Sequence, residues 1–210
     1  MKEYSRIQYI SSGETVEEQY RNIKKILEAG VKWVQLRWKK EPTADFLALA
    51  TQLYELKKSY KFTYIINDHI SVAYKVNADG IHLGLDDLSI HQARTLLGPD
   101  KIIGGTCNTK DQVLQRTAEG CNYIGLGPCH FTSSKQKLSP ILGHQGYASI
   151  LNALDVPSAI PPIYAIGGIS TEDFQPLSVI GVYGVALSSL LTKHPSPHSI
   201  LQQINLHYNG

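Results

Sequence analysis

The feature that most constrains this chain is a regular alternation of short β-prone runs with longer stretches of helical periodicity. Eight such strand–helix units follow one another, and no linker or change of composition interrupts them. Strands joined by helices of roughly ten or more residues pair in parallel, and eight units favour a closed barrel over an open sheet. We therefore predict an α/β fold, a single (β/α)8 TIM barrel, with residues 1–210 forming one domain.

The predicted strands are apolar, often β-branched runs that end in glycine or polar residues. They cover residues 7–11, 33–37, 64–67, 80–84, 101–106, 123–127, 163–168 and 182–188. Helix signals fill the intervals: Gly30 is placed to end the first helix, and Thr43 and Thr109 are placed to cap two others. The proline-rich stretch 152–162 is interpreted as a loop before the seventh strand.

Composition limits the partners that we expect. Apolar residues make up 42% of the chain, which excludes a disordered protein, and 20 basic against 18 acidic residues leave a net charge of only +2. This balance gives no electrostatic reason to expect nucleic acid or a membrane as partner, so we expect a small molecule. Three cysteines without CxxC spacing, and no apolar leader or run of about 20 apolar residues, indicate a cytoplasmic protein.

Barrel enzymes place their active sites at the C-terminal ends of the strands, so polar residues there are the candidates. Gln35, Arg37 and Lys39 alternate at the end of the second predicted strand and should project to the same side. An amide and two cations on one side suit a phosphate-bearing ligand. The alternative, a solvated strand end, is preferred for Lys39 and Lys40 taken alone, but it fits Arg37 poorly because a barrel strand has no solvated face.

Two carboxylates follow neighbouring strands. Asp68 ends the third predicted strand and Asp87 follows the fourth. Two hard oxygen ligands, completed by water and substrate phosphates, are how Mg²⁺ is usually bound. Each aspartate taken singly could instead be a helix N-cap, but the pairing at adjacent strand ends favours a metal site. Asp86 is left undecided.

Three further segments predict contacts with phosphate groups. The run Thr132-Ser133-Ser134-Lys135 offers hydroxyls and an ammonium that can cradle a pyrophosphate, although a flexible surface loop has the same composition. Gly167-Gly168 and Ser188-Ser189 stand at the ends of the seventh and eighth predicted strands, where barrels commonly bind phosphate, with a tight turn as the alternative for the glycines. We interpret His82 as a core histidine, and Cys129 beside His130 forms no recognisable nucleophile pair.

Taken together, these segments resemble the thiamine phosphate synthase family, which joins an aminopyrimidine methyl diphosphate to a thiazole phosphate, plain or carboxylated, and releases pyrophosphate. The matching segments keep the family's order over roughly residues 31–191. They are VQLRWKK, IINDHISVAYKVNADGIHLGLDDLS, IIGGTCNT, NYIGLGPCHFTSSK, YAIGGI and GVALSS. The resemblance implies a (β/α)8 barrel, a transferase that requires Mg²⁺, and usually a homo-oligomer.

The resemblance also implies roles for individual residues. Gln35, Arg37, Lys39, Asn67 and Thr106 match positions around the pyrimidine diphosphate, and Asp68 and Asp87 match the metal ligands. In the family's Thr-x-Thr-Lys segment, Thr132 and Ser134 meet the thiazole phosphate, while Lys135 meets the pyrophosphate. Gly168, Ser188 and Ser189 match the site for the thiazole phosphate group. The implied catalytic residues are Lys135, Arg37 and Lys39.

This assignment accounts for the absence of a catalytic triad in the sequence. In a dissociative substitution pyrophosphate departs and the thiazole nitrogen traps a pyrimidine-stabilised carbocation, so no protein nucleophile is needed. The chain departs from the family's usual residues at Ser11-Ser12, Trp38, Leu85, Thr106 and Ser134. Two alternatives are a thiazole tautomerase-like paralogue, whose catalytic histidine would stand where this chain has Pro128, and a non-catalytic barrel that only binds a phosphorylated ligand.

Overall fold

A computed structural model describes residues 4–38, 44–132, 140–154 and 160–208 of the chain. The strands are β1 (Ile7–Ile10), β2 (Trp33–Leu36), β3 (Thr63–Asn67), β4 (Gly80–Leu83), β5 (Ile102–Cys107), β6 (Tyr123–Leu126), β7 (Ile163–Ile166) and β8 (Gly184–Leu187). The helices are α1 (Val16–Glu28), α2 (Ala44–Glu55), α3 (Ile70–Lys75), α4 (Ile90–Leu97), α5 (Lys110–Ala118), α6 (Gly143–Asn152), α7 (Phe174–Ile180), α8 (Ser189–Lys193) and α9 (Pro197–Tyr208). Short 3-10 turns, Leu56–Lys58 and Thr171–Asp173, follow α2 and precede α7.

The eight strands form a closed parallel barrel in chain order. Each strand pairs with the next, and β1 closes the barrel against β8, where Tyr9 lies opposite Leu187. Helices connect the strands on the outside, as right-handed parallel connections require. The predicted (β/α)8 barrel is confirmed.

The helix signals explain where several helices begin and end. Thr109 caps α5 and Ser89 caps α4, each in a reciprocal pair with a glutamine three residues later. Gly30 follows α1 with φ of +103°, the left-handed conformation that ends many helices. These findings confirm the roles predicted for Thr109 and Gly30, whereas the predicted cap Thr43 lies outside the described residues.

Side chains alternate between two cores along every strand, because successive residues of a strand point to opposite faces. The outward residues of the strands pack with the helices in the larger core. The inward set fills the barrel around Trp33, whose ring centroid lies 5.0 Å from that of Tyr123 and 5.5 Å from that of Tyr164. Gly104 of β5 makes room for this packing, since a Cβ there would lie 2.1 Å from the Tyr123 ring. The barrel is therefore a packed core, and its ligand-binding space lies at the mouth.

Within the described residues, none of the helices combines the length and the apolarity that a bilayer crossing requires.

Candidate active site at the mouth of the barrel

The alternation that fills the barrel also brings the predicted site residues together. Several polar residues lie two positions after a strand residue that faces the inside of the barrel. Because side chains two positions apart share a face of a strand, these residues also point inward, at the C-terminal mouth. They are Gln35 and then Arg37 beyond Trp33, Asn67 beyond Ile65, Thr106 beyond Gly104, and Ser188 beyond Ala186. The same-side projection of Gln35 and Arg37 follows from their register in β2 and its extension.

A cavity of about 350 Å³ opens at this mouth. The predicted site residues that line it are Arg37, Thr132, Gly168, Ser188 and Ser189. The segment after β1, residues 11–14, and the Trp38 side chain complete its wall. The wall of the cavity therefore contains one candidate cation, Arg37, together with backbone and hydroxyl groups from the segments after β6, β7 and β8.

Gly167 and Gly168 let two strand-end segments approach each other closely. Their φ angles are +88° and +67°, and a Cβ on Gly168 would lie 2.8 Å from both the His130 Cβ and the Phe131 carbonyl oxygen. The Cys129 amide donates to the Ile166 carbonyl at 2.9 Å, and the His130 amide donates to the Gly167 carbonyl at 3.0 Å. The two glycines thus form a tight turn, which was the alternative to a phosphate-binding role. The same turn also exposes backbone without side chains in the cavity wall.

The two aspartates meet near Arg37 but are not among the residues that line the cavity. Asp68 has φ of +60°, a left-handed conformation that aspartate tolerates better than most residues, and its amide donates to the His82 carbonyl at 2.9 Å. The side chains of Asp68 and Asp87 hydrogen-bond each other. Burial and this second carboxyl group raise the pKa of Asp68 to about 7, while Arg37 acts in the opposite direction.

The N-cap interpretation of these aspartates is wrong. The residue at the N-cap of α3 is His69, and that of α4 is Ser89. Asp87 instead accepts a hydrogen bond from the Gly84 amide at 2.5 Å within the turn after β4. Two carboxyl groups this close to each other form a donor set that fits a hard divalent cation, because the cation removes their mutual repulsion.

Arg37 is close both to the cavity and to the pair of aspartates. It lines the cavity and lies close enough to Asp68 for the two charges to interact. Burial lowers the pKa of the guanidinium from its ordinary value and Asp68 raises it again, but arginine remains positively charged at neutral pH. The Arg37 amide donates to the Ser11 hydroxyl at 2.9 Å, which fixes the backbone just after β2 against the segment after β1.

Polar side chains below the mouth form a hydrogen-bonded chain inside the barrel. The Tyr123 hydroxyl contacts His82 Nδ1 at 3.0 Å, and His82 Nε2 contacts the Thr106 hydroxyl at 3.0 Å. This confirms His82 as a satisfied core histidine and shows that it also fixes Thr106. Gln35 is only 1% exposed, and its side-chain amide interacts with the same Tyr123 hydroxyl. Its carbonyl oxygen and second amide hydrogen can still pair with a ligand group.

Three predicted site residues, Lys39, Ser134 and Lys135, lie outside the described residues, as does Ser133. Their roles stay predictions. Of the departures from the family pattern, Trp38 packs on Phe46 with ring centroids 6.2 Å apart, and Leu85 remains exposed after β4.

One polar cluster beside the mouth was not predicted from the sequence. His130 Nε2 donates to Asp173 Oδ1 at 2.7 Å, and His144 Nε2 contacts the same oxygen at 2.7 Å. His130 therefore does more than pack in its loop. The cluster is hard to predict because His130 and Asp173 are 43 residues apart in the chain. Burial raises the pKa of the neighbouring Cys129 thiol to about 12. This agrees with the prediction that Cys129 is not a nucleophile, because the reactive form of cysteine is the thiolate.

Comparison with known proteins gives a consistent result. A family model described as thiamine monophosphate synthase matches residues 8–191. The thiamine-phosphate synthase of Flavobacterium psychrophilum is 49% identical over 202 residues, which are 96% of this chain and 98% of that protein. The thiamine-phosphate synthase of Bacteroides thetaiotaomicron is 42% identical over 178 residues, 85% of each chain.

Solved structures show how widely the fold is shared. A thiamine phosphate pyrophosphorylase from Pyrococcus furiosus superposes with a TM-score of 0.79 at 24% identity, covering 97% of this chain and 95% of that one. A 3-hexulose-6-phosphate synthase from Salmonella typhimurium superposes with a TM-score of 0.70 at 13% identity, covering 98% and 99%. At these identities the superpositions establish the fold, and the sequence relatives carry the family assignment.

Proposed function

Because this chain belongs to the thiamine monophosphate synthase family, we propose that the mouth of its barrel joins an aminopyrimidine methyl diphosphate to a thiazole phosphate, plain or carboxylated. The products are thiamine phosphate and pyrophosphate, so the chain is a transferase. The observation that carries the proposal at the level of the site is the placement of Arg37 between a cavity with phosphate-binding character and a pair of carboxyl groups.

The cavity suits the thiazole phosphate. Backbone at Gly168, the hydroxyls of Ser188 and Ser189, and the Thr132 side chain all line it. Hydroxyls and bare backbone amides bind phosphate oxygens without requiring a cation for each oxygen. We assign Ser134, from the segment outside the described residues, to the same group.

The pyrimidine and its diphosphate fit the adjoining part of the mouth. Gln35, Asn67 and Thr106 present amide and hydroxyl groups that can pair with a heteroaromatic ring and its amino group. Arg37 then lies beside the diphosphate, and we place Lys39 and Lys135 there as further cations.

Asp68 and Asp87 are the residues that would hold Mg²⁺. When bound, the ion would supply positive charge to the diphosphate oxygens of the leaving group. The close approach of the two carboxyl groups supports this assignment, because without a cation one of them retains a proton up to about pH 7.

The protein's own groups suit a dissociative substitution. Arg37, together with Lys39 and Lys135, stabilises negative charge on the departing pyrophosphate. The cavity beside them holds the thiazole phosphate so that its ring nitrogen faces the pyrimidine methylene carbon, and it replaces bulk water that would otherwise capture the carbocation. No described cysteine or serine is required as a nucleophile. We further expect a homo-oligomer in the cytoplasm.

The direct test is turnover by the purified protein with both substrates and Mg²⁺, following pyrophosphate and thiamine phosphate together. We expect both products in equal amounts, and a large loss of rate in Lys135→Ala with an unchanged circular dichroism spectrum. A tautomerase-like protein would change the thiazole without releasing pyrophosphate, and a non-catalytic barrel would bind thiazole phosphate without turnover. Either result would contradict the proposal.

A further inference from the structure

Four side chains with metal-binding atoms converge outside the two halves of the active site. They are Cys129, His130, His144 and Asp173, and their nearest ligand atoms all lie within 4.8 Å of one another. They belong to three separate segments: the bend after β6, the first turn of α6, and the 3-10 turn before α7. The cluster lies beside β6 and β7, across the barrel from the aspartates that follow β3 and β4.

Asp173 is the centre of the cluster and is rigidly held. Its side chain is only 3% exposed. Its Oδ2 accepts hydrogen bonds from the amide and the hydroxyl of Ser170, at 2.7 and 2.9 Å. Its Oδ1 faces both imidazoles, with each Nε2 at 2.7 Å. One carboxylate oxygen thus already brings two histidines to a common point.

The two histidines are free to make small adjustments. Their side chains are 44% and 38% exposed, and their rings lie edge to face with centroids 5.8 Å apart. Cys129 completes the group from the buried side, where the backbone bend at residues 129–130 turns adjacent side chains toward the same place. The result is a compact set of one sulfur, two imidazole nitrogens and one carboxylate oxygen.

We propose that Cys129, His130, His144 and Asp173 form a structural zinc site. This donor set is typical of tetrahedral zinc and is a poor match for Mg²⁺, which prefers six oxygen ligands. Metal–ligand bonds of about 2.0–2.3 Å place the ligand atoms of a tetrahedral zinc ion roughly 3.3–3.7 Å apart. On binding, the two Nε2–Oδ1 distances would therefore increase by about 0.6–1 Å, and the widest distance between ligand atoms would decrease by about 1 Å. The exposed imidazoles can supply these movements.

Binding would exchange protons for the metal. The Cys129 thiol releases its proton to solvent as the sulfur binds zinc, and each imidazole presents its Nε2 lone pair while its proton is carried on Nδ1. The ion would then tie the segment after β6 to α6 and to the 3-10 turn before α7. That segment borders the phosphate cavity, because His130 contacts Gly168 and Thr132 lines the cavity. Zinc would therefore stabilise one wall of the active site without entering the reaction.

The test is a zinc titration of protein freed of metal with a chelator, in the presence of millimolar Mg²⁺ and a chromophoric competitor for zinc. We expect one equivalent bound with a Kd below about 1 μM. His144→Ala should weaken binding at least about 10-fold, and Cys129→Ser should remove the sulfur-to-metal absorption band when cobalt replaces zinc. His91→Ala, which removes an exposed histidine of α4 outside the cluster, should bind zinc normally. So should Asp87→Asn, which separates this site from the catalytic one.

Stability gives a second readout that does not depend on activity. Zinc at 100 times the native Kd should raise the melting temperature of the native protein by roughly 5–10 °C and that of His144→Ala by no more than about half as much. His144 is partly exposed, so its replacement should not unfold the zinc-free chain. Zinc binding weaker than micromolar, or equal binding by His144→Ala and the native protein, would overturn the proposal and leave a metal-free His–Asp–His hydrogen-bond cluster.

Discussion

Replacing Gly168 with alanine tests the close contact between the segments that follow β6 and β7. The new Cβ would lie 2.8 Å from the His130 Cβ and from the Phe131 carbonyl oxygen, and the backbone would have to keep φ of +67°. The left-handed conformation costs alanine about 1–2 kcal/mol, and overpacking against a backbone atom costs about 1–3 kcal/mol more. We expect the free energy of unfolding to fall by about 2–5 kcal/mol.

Gly120→Ala is the matched control. Gly120 also has positive φ, +79°, but no described atom lies within 4 Å of an added Cβ. Gly120→Ala should lose only the conformational part, so the melting temperature of Gly168→Ala should lie roughly 2–12 °C below that of Gly120→Ala. The KM for thiazole phosphate should rise only in Gly168→Ala, because the cavity wall moves there. Equal melting temperatures and equal KM values in the two variants would refute the proposed contact.

Three further predictions address the mouth of the barrel. Asp87→Asn should lower kcat/KM at least about 100-fold while Asp86→Asn stays within a few-fold, because the asparagine oxygen can still accept from the Gly84 amide but lacks the charge that we propose binds Mg²⁺. Equal losses in the two variants would contradict the metal assignment. The apparent Mg²⁺ affinity, measured by activity titrations after chelation, should fall by up to about tenfold per pH unit between pH 8 and 6, because the pKa of Asp68 is raised to about 7 and protons then compete with the metal. An affinity that does not change with pH would count against Asp68 and Asp87 as metal ligands. Thr106→Val should unfold at a temperature about 2–4 °C below that of Thr106→Ser, because only the serine keeps a hydroxyl to pair with His82 Nε2. Similar melting temperatures would show that this hydrogen bond contributes little to stability.

Much of the fold was predictable because local signals agree with the global structure. The strands are short apolar runs, and capping residues such as Ser89 and Thr109 act within four residues of their own helix. The meeting of Asp68 and Asp87 followed from strand order, since the ends of adjacent parallel strands lie side by side.

Other features depend on contacts between distant segments and could not be read from the sequence. The positive φ of Asp68 and the burial of Gln35 at 1% exposure arise only once the barrel closes. The short helix α8 begins at Ser189, where the sequence predicted only the end of a strand. The convergence of His130, His144 and Asp173 requires three separate segments of the chain to be in place at once, and no spacing in the sequence indicates it.

The most direct measurement of how this mouth works is the pair of KM values in two matched variants, Ser188→Ala and Asn67→Ala. Ser188 lines the cavity in which we propose that the thiazole phosphate binds, and Asn67 ends β3 beside Asp68. Loss of one hydrogen bond to a charged or polar substrate group corresponds to about 1–1.5 kcal/mol, or roughly 5–10-fold in KM. We expect Ser188→Ala to raise the KM for thiazole phosphate alone and Asn67→Ala to raise the KM for the pyrimidine diphosphate alone. If both variants change both KM values equally, the two substrates do not occupy separate sides of Arg37.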